Sequence, residues 1–388
     1  MTGGYGRVEA TTVAMDTFSD LPDALVRDLL AQAVPIADRV SQGIRALQGA
    51  REGLRTAARG ARLIRRKADL DVTREPSVAG VDGSYQIHRL TAVDLCAAAA
   101  VAIEGTAREA RRHWQEPYHR IWVGTVEHSQ NVTNTLRGLM ISMELDLAAS
   151  APHDLVLLDG SFIILIIYLN QGLTSFGQSP PLMRDEFSRR WHEEHVLARF
   201  LDLLRSERTV AVPKYSSRNE FTRLLDLGGL PATDGKTIAT LILEPDEYTE
   251  PQPIFLFGDE DREYHLSRDY CTEDQQREMN TLLGEMRVVF YRPYSWVPAV
   301  RLELPGPVAT SRVRLALVLE GIKRQLFSPA VIEPYPLFLA DRMVKSLGAG
   351  VGVIEQAVAQ HAAAGAPDVE TTMLFLQNYR TEGGRGGV

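Results

Sequence analysis

Two short apolar runs that end in the same triplet constrain this chain more than any other feature. Val78-Ala79-Gly80-Val81 leads into Asp82-Gly83-Ser84, and Val156-Leu157-Leu158 leads into Asp159-Gly160-Ser161. Short continuous apolar runs bounded by turn residues fit strands buried on both faces. The glycine after each carboxylate lets the backbone turn or a ligand approach closely. A carboxylate at the end of a buried strand is costly unless it is paired or holds a cation. One Asp-Gly alone reads as an ordinary turn. Two copies on buried strands of one domain point instead to a shared metal site at the carboxyl ends of the strands.

A third carboxylate comes from the segment Asn131 to Ser150, which reads as a helix. Leu136, Met140, Glu144 and Leu147 recur at steps of four, four and three, so Glu144 falls on the inward stripe. Asp146 is expected on the more polar face, toward water. An inward Glu needs a partner, and a cation held jointly with Asp82 and Asp159 supplies one. Three carboxylates with no convergent Cys or His cluster make a hard-oxygen site, suited to Mn²⁺ or Mg²⁺ rather than Zn²⁺. Two such ions about 4 Å apart activate a water and stabilise the leaving oxygen of a phosphodiester.

Around this centre the chain reads as a mixed α/β sheet flanked by helices. Residues 1–18 read as flexible, and 19–70 as a helical region that Pro35 kinks or splits. Strands are expected from Ser77, in HRIWVGTVEH, in Asp154–Asp159, Thr209–Val212, Val288–Tyr291 and Ala299–Leu304. The Ala-rich run VDLCAAAAVAIEG fits a strand or a helix. Helices are expected over Glu186–Arg205, Ser216–Leu227, Ser311–Leu326, Leu337–Leu347 and Glu355–Ala364, with Pro180–Asp185 as a loop. Residues 245–275, dense in acids, Pro and Tyr, read as loop-rich, and the tail EGGRGGV as disordered.

The net charge of −8 is unhelpful for a nucleic-acid partner. It is unevenly spread, because residues 51–67 carry six Arg and one Lys against one Glu. That segment reads equally as a solvated helix face or a phosphate-contacting surface. Cys96 and Cys271 form no CxxC pair and read as buried thiols in a reducing cytosol. No signal peptide or membrane span is read, so a cytoplasmic protein is expected. His192 and His195 stand at i and i+3, which does not match HExxH, and no P-loop or GxSxG motif is present. Trp114, Trp122, Trp191 and Trp296 are scattered and read as packing anchors.

The two Asp-Gly-Ser motifs with a helical Glu between them resemble the NurA nuclease family. That family has an RNase H-like core, and its three acids match Asp82, Glu144 and Asp159. The likeness extends over residues 75–350, leaving 351–388 as a C-terminal helix and Gly-rich tail. It includes VAVPKYSSRNEF, where Lys214 matches a family Lys, and LPATDGKTIATLI, which contains Asp234. Near the end, EPYPLFLADRMVKSL resembles a closing motif that elsewhere holds a Tyr and, eight residues later, a His. Here Asp341 takes the place of the His and Glu333 lies eight residues before it, with Tyr335 nearby.

The resemblance implies a Mn²⁺- or Mg²⁺-dependent DNA nuclease with 5′-to-3′ exonuclease and single-strand endonuclease activity. It implies a homodimer working with a HerA-type hexameric ATPase in end resection during double-strand break repair. Lys214 and Asp341 join the three acids as candidate catalytic residues. Asp234, Tyr335 and Tyr294 read more readily as turn or packing residues. A catalytically silent partner of the ATPase, or a nuclease acting on RNA or hybrids, are the alternatives.

Overall fold

The computed structural model describes residues 21–71, 74–106, 112–215, 224–225, 234–254 and 263–378. The expected flexible N-terminus, nearly all of the Ser216–Leu227 helix and the Gly-rich tail fall outside them. The described elements in chain order are α1 (Asp23–Ala31), α2 (Ala33–Gly60), β1 (Ile64–Arg66), β2 (Val78–Arg89), β3 (Asp94–Glu104), β4 (Tyr118–Val126) and α3 (Val132–Ser150). Next come β5 (Leu155–Asp159), α4 (Phe162–Ser175), α5 (Pro181–Glu193), α6 (Val196–Arg205), β6 (Thr209–Val212), α7 (Gly235–Ile242), β7 (Glu247–Thr249) and β8 (Gln252–Pro253). The chain continues through α8 (Glu273–Glu285), β9 (Arg287–Arg292), β10 (Val300–Leu304), α9 (Gly306–Thr310), α10 (Arg312–Gln325), α11 (Tyr335–Lys345), α12 (Leu347–Gly365) and α13 (Val369–Phe375).

One mixed sheet runs in the order β1-β7-β9-β10-β6-β5-β2-β3-β4, with β8 beside β9. The pairs β2–β5 and β5–β6 are parallel, and the remaining pairs are antiparallel. This is the mixed, helix-flanked sheet the sequence predicts. The Ala-rich run is strand β3, and its composition has a packing reason. Ala98, Ala100 and Ala102 lie under α3 while Ala97 faces the C-terminal helices, so both faces are covered and small side chains let helices come close.

One core fills the side of α3, α4, α5 and α6, and a second fills the side of α9, α10 and α11. A third joins the second half of α2 to α7 and β9 through Leu54, Ala58, Ile238, Ile242 and Phe290.

Several expectations are corrected. The N-terminal helix does split, but at Gln32, so Pro35 lies in the first turn of α2, where its missing N–H costs no helical bond. The helix expected over Glu186–Arg205 is two helices. It starts earlier, at Pro181, and breaks where His195 adopts a left-handed backbone with φ of 53°. His192 and His195 are exposed at that break.

Asp146 does not face water. It is buried, and Arg120 and Arg199 close on it, because α3 is sandwiched between the sheet and α4, α5 and α6. Arg59, Arg62, Arg65 and Arg66 of the basic segment are exposed, as a solvated face predicts, but much of its charge is paired with acids rather than free for phosphate. Arg55 forks onto Glu247 at 2.7 and 2.9 Å, Arg51 pairs with Glu244, Arg65 with Glu250 at 2.7 Å and Lys67 with Glu320 at 2.6 Å. Glu247 and Glu250 belong to the acid-rich segment and Glu244 adjoins it, so the two unbalanced stretches partly neutralise each other. Cys96 is buried as expected, but Cys271 is only half-buried.

The stripe Leu25, Leu29, Ile36, Val40 and Ile44 on α1 and the first half of α2 is exposed. Among the described residues, no helix is long and apolar enough to cross a membrane.

Candidate active site

The parallel register of β2 and β5 sets the first two acids side by side. Val81 is level with Leu158, so the next residue on each strand is the carboxylate, Asp82 or Asp159. Residues two apart on a strand share a face, so Gly80 and Asp82 turn toward α11 and Gly83 toward α3. A side chain at Gly80 would start 2.7 Å from the backbone of Pro336 and Leu337. Its absence lets α11 lie against β2 and deliver Asp341. One oxygen from each of Asp82, Asp159 and Asp341 lies within 4.8 Å of the others.

Glu144 comes from the opposite side, on the stripe of α3 that the spacing predicts. It is buried, and its carboxylate hangs directly over Gly83, where a Cβ would overlap Glu144 Oε1 and lie 2.8 Å from Met140 Cγ. Among the described residues no cationic side chain pairs with it. Burial, then Asp82 and Asp159, push its carboxyl well above the usual range. Asp82 is raised as well, by burial and by Asp159, against the pull of Lys214 and a hydrogen bond from Gly83 N at 2.8 Å.

Lys214 lies just past β6, whose register places Val212 beside Asp159. Its Nζ stands 3.0 Å from Asp159 Oδ2, 2.9 Å from Asp341 Oδ1 and 3.2 Å from Glu333 Oε2. Burial works against its charge, but these carboxylates outweigh burial and hold its pKa above the ordinary value. Asp341 is also buried in part, yet Lys345 at 2.8 Å and Lys214 hold it below the usual carboxylate range. Burial and the neighbouring acids raise Glu333, against the pull of Lys214.

The acids therefore outnumber the ammonium groups, and the two most buried ones have no cation of their own. Three hard oxygen donors facing one point fit a divalent cation such as Mn²⁺ or Mg²⁺.

A supporting layer fixes these groups. Gly160 turns with φ of 88°, and Ser161 caps α4 by accepting from Ile163 N at 3.2 Å. Ser161 Oγ and Phe162 N both donate to Glu303 Oε2, at 2.8 and 3.1 Å. Glu303 is buried on β10 and paired with buried Arg301. Lys236, in the first turn of α7, donates to the Lys214 carbonyl at 3.0 Å and so holds the Lys214 loop.

Sequence reasoning did not find Glu303, Arg301 or Lys236. The alternation in VRLEL, with two charges inside an apolar strand, was the available signal. Asp234 is the cap of α7, accepting from Thr237 N at 2.9 Å. Tyr335 packs on Phe327, and Tyr294 stacks on Trp296.

The NurA domain family model matches residues 76–346. The chain belongs to the NurA family. Its structure is similar over 88% of this chain and 98% of the other to the NurA nuclease from Sulfolobus solfataricus, at 13% identity and a TM-score of 0.56. A second NurA crystal structure, 11% identical, matches 88% of this chain and 99% of its own with a TM-score of 0.50. A NurA structure with manganese, also 11% identical, matches 87% and 99% with a TM-score of 0.50. At these identities the likeness establishes a shared NurA fold. No curated protein matches the chain in sequence.

Proposed function

We propose that this chain is a metal-dependent DNA nuclease whose site is built on Asp82, Glu144, Asp159, Asp341 and Lys214. The observation that carries the reading is the convergence of Asp82, Asp159 and Asp341 on one point, with buried, unpaired Glu144 on the other side of Gly83. A fold keeps such a costly cluster only where it works. Manganese in a solved family member supports Mn²⁺ as the cofactor, with Mg²⁺ compatible.

Divalent cations, when bound, supply Lewis acidity that makes water nucleophilic near neutral pH and offsets charge on the departing oxygen. Asp82 and Asp159, side by side on adjacent strands, would hold them together with Asp341 from α11, and Glu144 would add a carboxylate from the α3 side. Lys214 balances the acids and offers an ammonium to a phosphate oxygen as a point charge.

The same reading includes 5′-to-3′ exonuclease and single-strand endonuclease activity and a HerA-type hexameric ATPase partner. It places the protein in the cytoplasm, in end resection during break repair. The exposed apolar stripe on α1 and α2 supports a homodimer. The internal neutralisation of the basic segment leaves a weak intrinsic grip on DNA, which supports delivery of the strand by a partner.

A cleavage assay on labelled single- and double-stranded DNA with Mn²⁺ tests this, comparing wild type with Asp82→Asn and Glu144→Gln. Cleavage by wild type and none by the variants is expected. Equal traces from all three would end the reading.

A further inference from the structure

Arg137 lies on α3 seven residues before Glu144, two helical turns or roughly 10 Å away on the same face. Its guanidinium carbon stands 5.6 Å from the centre of the Tyr85 ring and 5.1 Å from that of Tyr168. Nε donates to Tyr85 Oη at 3.1 Å. Two aromatic faces therefore fix the plane of the fork.

Its charge is otherwise unspent. Among the described residues no carboxylate pairs with Arg137, and its two terminal nitrogens have no hydrogen-bond partner. Arg120 and Arg199, which also approach α3, both close on Asp146. Burying a cation's stem while leaving its donors open is what a ligand site needs and what a structural ion pair does not.

The surroundings point away from the sheet interior. The pairing of β2 with β5 stops at Val81, so Tyr85 stands on the part of the β2–β3 hairpin that projects past the carboxylates. Tyr168 stands on α4, which begins directly after the second Asp-Gly-Ser. Arg137 thus sits where hairpin, α3 and α4 meet, on a line from Glu144 outward.

We propose that Arg137, held between Tyr85 and Tyr168, is a binding residue that grips a phosphodiester of the same DNA strand neighbouring the one at the carboxylates. A planar fork with two open donors matches two phosphate oxygens. The proposal rests on the nuclease reading for its strand, but its measurement does not.

Fluorescence anisotropy with a labelled 20-nucleotide single strand in Ca²⁺ compares wild type, Arg137→Gln and Arg137→Lys across a salt series. Arg137→Gln is expected to weaken binding about tenfold and to reduce the slope of log affinity against log salt by about 0.7, one phosphate contact on a single strand. Arg137→Lys keeps the slope and recovers part of the affinity. In Mn²⁺ cleavage, Arg137→Gln raises KM about tenfold and leaves kcat within twofold.

A lower melting temperature with unchanged affinity and slope makes Arg137 an internal staple between hairpin and helix and overturns the proposal. So does loss of kcat at constant KM, or no binding of the oligonucleotide by wild type. Wild-type binding without cleavage would remove the nuclease reading alone, and the salt slope would still decide the contact.

Discussion

The two Asp-Gly-Ser copies look alike, yet their glycines do different work, and alanine at each separates the roles. At Gly83 a Cβ would overlap Glu144 Oε1 and lie 2.8 Å from Met140 Cγ. Ordinary carbon contacts are about 3.5–4.0 Å, so Gly83→Ala forces Met140 and the Glu144 carboxylate back by roughly 1 Å. A misplacement of about 1 Å at a reacting centre costs on the order of a hundredfold in rate, and overpacking costs about 1–3 kcal/mol of stability. At Gly160 no atom lies within 4 Å of an added Cβ, but φ is 88°. Gly160→Ala therefore meets only backbone strain, about 1–2 kcal/mol, with kcat reduced less than tenfold.

The assay is single-turnover cleavage of a single-stranded oligonucleotide in Mn²⁺, with urea melts of both variants. Expected are two similar stability losses and a rate loss at least tenfold larger for Gly83→Ala. Near-wild-type cleavage by Gly83→Ala would refute the claim that this glycine exists to admit Glu144.

Two further outcomes follow from the charges. Asp82 and Glu144 hold protons in the folded chain above the ordinary carboxylate range, so folding stability falls as pH rises from about 4 through their raised values. Mn²⁺ displaces those protons, so its thermal stabilisation should be larger at pH 8 than at pH 5.5; equal shifts by scanning fluorimetry would contradict this. Arg55→Met leaves buried Glu247 only the more exposed Arg59 at 3.6 Å and should cost about 3 kcal/mol in urea denaturation, largely recovered with Glu247→Leu, while DNA affinity stays unchanged. A loss of DNA affinity at unchanged stability would return the basic segment to a phosphate-binding role.

The strand ends were legible because burial, a following glycine and a repeated triplet are local signals. Glu144 was legible from helical spacing for the same reason. Asp146 was not, since α3 is covered all round and periodicity reports only that one face is apolar. The fate of Arg55 was hidden because its partner lies in a segment nearly two hundred positions later. Asp341 could be placed by resemblance, but its meeting with Lys214 depends on how α11 crosses β2 at Gly80. Glu303 under Ser161 is a contact between two strands' neighbours, which no single segment encodes. What sequence misses here is partner choice across the sheet, not the nature of the groups.

The placement of Asp341 on α11 has a consequence for synthesis. Residues 78–81 find their parallel partner only when 155–158 have been made, and β6 must follow to bring Lys214. Asp341 is the last of the clustered groups to leave the ribosome. In a nascent chain the three-acid cluster of Asp82, Asp159 and Asp341 can therefore close only after α11 has been made and packs on β2, well after the two strand acids can come side by side.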